Sequence, residues 1–270
     1  MTEQRYLPDA DRISVLTAMV MLAYALTRLI LAPQFTLELQ LPGLYFAYPF
    51  NLNMLISLLA AGLTATGMDW LLRSHPSLRG KRTVEHWFLP TLTSFVIGVP
   101  LSLLPSSPVW WIGFGIGGIL LVLVFLAEYV VVEPADLLYP LATAGLTALS
   151  YALYLILAVA LRYGGTRLML VIPALFPAAI LVSLRTLHLR LGGRWEFAWS
   201  AGIALVCIQL AAGLHYWPLT PMKSGLILVG PLYALTDLAA GLREGAPLRR
   251  AAIAPAVILA LAWVGSIWVH

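Results

Sequence analysis

The chain has 270 residues, of which 61% are hydrophobic and only 10% charged, and its net charge is +4. A soluble domain is about half apolar and about a quarter charged, so a water-soluble fold is excluded. The basic balance is no nucleic-acid footprint either, because the positive residues sit in short loops between apolar runs.

Those apolar runs are about 20 residues long, the length a helix needs to cross ~30 Å of hydrocarbon. Residues 1–11 form a short polar lead. The first span is predicted over 12–32. Its apolar stretch is too long for a signal-peptide core, Arg28 interrupts it, and Pro33 follows its only small-residue cleavage motif. It is therefore expected to remain in the mature chain. Residues 33–50 read differently. Pro33, Pro42 and Pro49 bar a regular helix, while Phe35, Tyr45, Phe46, Tyr48 and Phe50 favour the headgroup level. An interfacial or partly re-entrant segment is expected there. Further spans are predicted at 51–72, 86–104, 109–132, 138–161, 167–187, 196–216, 222–241 and 251–269. The links Pro105–Pro108 and Tyr163–Thr166 force antiparallel neighbours, and no loop has room for a soluble domain. The fold class is all-α: one polytopic transmembrane domain of about nine helices.

Orientation follows from the basic residues. With a cytoplasmic N-terminus, twelve of them fall inside, three (Arg162, Arg167 and Lys223) fall outside, and Arg28 lies within a span. The positive-inside rule then puts the C-terminus outside, and the expected location is the cytoplasmic (inner) membrane. The acidic loop Glu133–Asp136 dissents, but acidic residues weigh little in that rule.

Two inner loops resemble each other. His75, Glu85 and Trp87 follow the second span as His188, Glu196 and Trp199 follow the sixth, and Glu128 of the fourth span has a counterpart in Asp237 of the eighth. The offsets, 109 to 113 residues, predict a weak parallel repeat, roughly 12–132 and 138–241, plus a ninth helix. Arg- and Gly-rich loops flanked by Trp would give the same impression without any repeat.

A charge in a span costs about 2.5–3.5 kcal/mol on translocon scales, so each one can be weighed. Arg28 contacts an anion or headgroup, or simply snorkels to the interface. Glu128 and Asp237 lie deepest among the carboxylates. Each either binds a proton or, like Asp69, is a helix-end carboxylate paired with a basic loop. His215 opens the cluster His215–Pro221, which lines a ligand site or forms an aromatic belt. Near the inner surface, Arg73, Arg79, Lys81, Arg82, Arg185, His188, Arg190 and Arg194, with His75 and His86 among them, suit phosphate oxygens and so anionic lipid headgroups. The glycine run Gly113, Gly115, Gly117 and Gly118 reads as close helix packing.

No catalytic residue, cofactor or metal site is expected. HExxH, GxSxG and the P-loop are absent. The lone Cys207 permits neither an intramolecular disulfide nor a cysteine-based zinc cluster. The segments Phe35–Tyr45, Ala127–Tyr129 with Glu133-Pro134, Leu184–His188 and Leu214–Pro218 resemble those of an uncharacterised family of multi-pass membrane proteins from Chloroflexi-type bacteria. That resemblance implies a bacterial setting and no activity. Three function classes stay open, in this order: a non-catalytic membrane subunit or scaffold, partnered by lipid and another membrane protein; a secondary transporter of a small solute or lipid using Glu128 and Asp237; and an intramembrane enzyme acting on a lipid-linked substrate.

Overall fold

The computed structural model describes residues 8–29, 35–41, 44–50, 52–78, 83–105 and 107–268. Among these, nine helices are long and apolar enough to cross a membrane, and the chain is a multi-pass membrane protein. Long apolar runs form helices in lipid because every backbone group must then be satisfied within its own segment. The chain divides into two compact units, Met1–Val132 and Glu133–His270.

The first unit holds α1 (Ala10–Leu29), the strands β1 (Phe35–Leu41) and β2 (Leu44–Phe50), α2 (Leu52–Leu72), α3 (Phe88–Leu103) and α4 (Pro108–Val131). Helix α1 packs on α2, α2 on α3, α3 on α4, and α4 returns to α1. Leu16, Val20, Met68, Leu71, Leu121 and Phe125 fill the centre of this ring. The segment expected to be interfacial contains an antiparallel hairpin, an element the sequence reading did not anticipate. Its register pairs Phe35 with Phe50, Leu37 with Tyr48 and Leu39 with Phe46.

Glycine lets helices of this unit approach closely, although not throughout the run on α4. A Cβ on Gly117 would lie 2.8 Å from Ile97 Cγ2, whereas one on Gly115 would meet nothing within 4 Å. On α3 a Cβ at Gly98 would lie 2.8 Å from Tyr24 Cε1. That ring cannot easily retreat, because Tyr24 Oη donates a 2.5 Å hydrogen bond to the Ser94 carbonyl. Gly98→Ala is therefore expected to cost about 1–3 kcal/mol through overpacking, despite the better helix propensity of Ala. Gly115→Ala should leave the thermal midpoint in detergent unchanged or raised, and equal midpoints for the two variants would refute the close-approach account.

The second unit holds α5 (Tyr139–Tyr163), α6 (Leu168–Arg190), α7 (Phe197–Leu214), α8 (Pro221–Arg243) and α9 (Leu248–Trp268). Here α5 packs on α6, α6 on α7, α7 on α8, and α8 returns to α5; α6 also meets α8, and α9 packs on the flank of α8. The first four helices thus repeat the neighbour order of α1–α4. Helices α5 and α8 stop in the same way. Thr166 N bonds Leu161 O at 3.2 Å and Ala246 N bonds Gly241 O at 3.0 Å, with Gly165 (φ 61°) and Gly245 (φ 86°) supplying the left-handed residue of the C-terminal turn. At its start α8 has Pro221 in the first turn, and its N-cap Thr220 accepts from Lys223 N.

Candidate functional site

In the first unit, Asp69 near the end of α2 anchors the connection to α3. Arg73 Nε donates to Asp69 Oδ2 at 2.7 Å, and Thr83 Oγ1 donates to Asp69 Oδ1 at 2.5 Å. The tight turn Val84–His86 that follows carries His86 inward. There His86 Nδ1 lies 2.8 Å from Glu128 Oε2, and His86 Nε2 lies 3.5 Å from Glu85 Oε1. Glu128 is fully buried and the His86 side chain is 5% exposed. A buried carboxylate is retained only with a partner that shares its charge or its proton. An imidazole facing a carboxylate from each ring nitrogen can hold or pass a proton. Beside it, the rings of His75 and Tyr129 meet edge-on at 4.6 Å.

Ion pairs close one end of the second unit, where α6 and α8 finish. Arg190 is held by two carboxylates, Asp237 and Glu244, the latter at 2.9 Å. Arg243 donates to Glu196 Oε1 from Nε at 2.7 Å and also pairs through Nη2 at 2.6 Å. Contact with a lipid headgroup needs a side chain at the surface. Arg73, Arg190 and Arg194 are exposed there, whereas Arg185 and His188 are buried within α6. The Arg28 side chain and the residues Arg79, Lys81 and Arg82 lie outside the described residues.

The basic end of this unit also opens into a cavity of about 550 Å³. Thr143, Thr147 and Tyr151 of α5, Thr186 and Arg190 of α6, and Tyr233, Thr236 and Asp237 of α8 line it. At the opposite end, a smaller cavity of about 170 Å³ lies among α5, α6, α7 and α8, with Arg162, Thr166, Ala211, His215 and Ser224 in its wall. Arg162 donates to the backbone carbonyls of His215 and Trp217, so it fastens the α7–α8 connection to the end of α5. His215 itself meets Tyr216 edge-on at 4.8 Å.

Helical periodicity shows what separates the two cavities. Along α8, Ser224 and Leu228 line the small cavity and Thr236 and Ala240 the large one, with fully buried Leu232 between them on the same face. Along α5, Tyr154 occupies the corresponding position between Tyr151 and Ala158, which at 1.5 Å per residue are roughly 10 Å apart. Tyr154 is completely buried, and its hydroxyl has no hydrogen-bond partner. On α6, buried Ala179 and Val182 lie between Leu175 of the small cavity and Thr186 of the large one.

Glu128 and Asp237, the two carboxylates singled out from sequence, therefore sit in different surroundings: Glu128 in the buried pair of the first unit, Asp237 on the cavity wall of the second. Sequence reasoning passed over Tyr151, Tyr154 and Tyr233, and used Arg162 only for orientation. The signal available was a pair of tyrosines three apart, with Thr143 and Thr147 on the same helix. Among the described residues, no three His, Cys, Asp or Glu side chains converge to hold a metal ion.

No curated protein and no solved structure matches the chain. Residues 32–269 match a family described as "Protein of unknown function (DUF5656)". With nearly the whole length from β1 to α9 inside that match, the chain belongs to the DUF5656 family.

Proposed function

We propose that the protein is a membrane carrier of a small solute, with its route through the α5–α6–α8 cleft of the second unit. The observation that supports this reading is the pair of cavities at opposite ends of α5, α6 and α8, with buried Tyr154, Ala179, Val182 and Leu232 between their linings along those helices. A carrier needs such a barrier, which opens to one side at a time, whereas a scaffold needs no pair of cavities at opposite ends of the same helices. Binding sites at the boundary of helices in a bundle, reached from both membrane faces, are the usual design of secondary transporters. In this reading the basic end of the unit faces the cytoplasm of a cell with an inner membrane, following the positive-inside bias. The like neighbour order of α1–α4 and α5–α8 supports an origin by duplication. The His86–Glu128 pair would then be a proton-holding site of the first unit.

Side-specific thiol labelling tests the route. In a background with Cys207→Ala, Thr147→Cys should react with a membrane-impermeant reagent only in vesicles that expose the basic end. Ser224→Cys should react only in vesicles of the opposite orientation. Protection of both positions from both sides would remove the aqueous cavities and with them the carrier. Reaction of both from one side would mean an open pore.

A further inference from the structure

We infer that the larger cavity takes a small organic cation, its charge received by Asp237 and the rings of Tyr151 and Tyr233; this rests on the carrier reading and names its substrate class. Charge makes the first argument. Arg190 is one positive group between two carboxylates, Asp237 and Glu244, so the three groups together carry an excess negative charge. Their arrangement allows an exchange. The Glu244 side chain is 43% exposed and that of Asp237 18%. Arg190 can therefore stay on the outer carboxylate, Glu244, while an arriving cation takes the inner one, and no charge is left unpaired at any stage. An anion would have to draw Arg190 away from both carboxylates against their repulsion, and an unpaired charge in a partly desolvated site is costly.

The aromatic wall makes the second argument. Tyr151 and Tyr233 both line the cavity, with centroids 5.1 Å apart and planes at 61°. The negative face of an aromatic ring attracts a cation and repels an anion, the more so where water is excluded. Thr186 and Thr236 lie on the same wall beside Tyr151, so the aromatic wall also carries hydroxyl groups. The volume, about 550 Å³, is that of a pocket for a molecule well beyond a metal ion or ammonium.

The test is equilibrium binding of radiolabelled tetraethylammonium to the full chain in nanodiscs of neutral lipid. Saturable binding is expected, undisturbed by an excess of benzenesulfonate. Asp237→Asn should weaken it at least about tenfold, and Tyr151→Leu about fivefold, while Tyr151→Phe, which keeps the ring, should stay within about twofold. The two aromatic variants decide the matter if Asp237→Asn fails to give a monodisperse protein. Absence of saturable binding, competition by benzenesulfonate, or equal binding by the wild type and Tyr151→Leu would overturn the cation assignment. If the opposite-side labelling of Thr147→Cys and Ser224→Cys nevertheless holds, the route survives and only the substrate class is lost. If the labelling fails, the route itself is lost.

Discussion

Replacing Glu128 by Ala is expected to destabilise the first unit by about 3–5 kcal/mol, the usual cost of removing one member of a buried ion-paired or hydrogen-bonded couple. Glu128 is fully buried, and its Oε2 lies 2.8 Å from His86 Nδ1. Truncation takes that carboxylate away from an imidazole whose side chain is only 5% exposed. It also opens a void beside Phe125 and Tyr129, both core residues on the same helix. Glu128→Gln keeps the shape and an amide that can still bond the ring, so it should cost about 1–2 kcal/mol. The measurement is the midpoint of thermal unfolding in detergent, read on the monodisperse fraction. The contrast within the same unit is Asp69 with Arg73. Arg73 is 74% exposed, and an exposed pair of this kind contributes only about 0–1 kcal/mol. If Glu128→Ala and Glu128→Gln unfold together within error of the wild type, the pair is not holding the connection between α2 and α3 against α4.

The nine spans were legible because lipid imposes a single demand, an apolar run of sufficient length, which hydropathy reads directly. Where helix ends moved, a different property governed them. The sixth span was expected to end at 187, yet α6 continues to Arg190. Charge ends a hydrophobic run but does not end a helix, and Arg is a good helix former. The hairpin was missed for a related reason. Prolines correctly excluded a helix from residues 33–50, but the strict alternation of Phe35-Thr36-Leu37-Glu38-Leu39-Gln40-Leu41 is a strand signal, and it was not weighed. The site was half legible. Asp237 announced itself as a charge in a span. The tyrosines did not, because hydropathy counts Tyr among ordinary membrane residues and hides its hydroxyl. His86 and Glu128 stand 42 positions apart. Each stands out alone in the sequence, the histidine for headgroups and the carboxylate for a proton or a basic loop. Only packing of the Val84–His86 turn over the end of α4 brings them together.

Tyr154 should behave in opposite ways under two substitutions, and together these test the septum. Its hydroxyl is buried without a partner, and an unsatisfied buried donor costs about 1–3 kcal/mol. Tyr154→Phe removes that penalty while leaving the ring between the cavities, so the thermal midpoint should rise and labelling of Thr147→Cys and Ser224→Cys should remain confined to opposite sides. Tyr154→Ala removes the ring. On large-to-small statistics it should cost about 3–5 kcal/mol. On α5 it removes the one side chain that stands between Tyr151 and Ala158 on the cavity-lining face, a separation of roughly 10 Å. Each cysteine should then react from both sides, and vesicles loaded with tetraethylammonium should leak it. A Tyr154→Ala variant that loses stability as expected but keeps the two cavities sealed from one another would show that Leu232 and Val182 form the barrier. A Tyr154→Phe variant less stable than the wild type would show that the hydroxyl is satisfied in the membrane. It would then be available to a solute crossing the septum only by exchanging that bond.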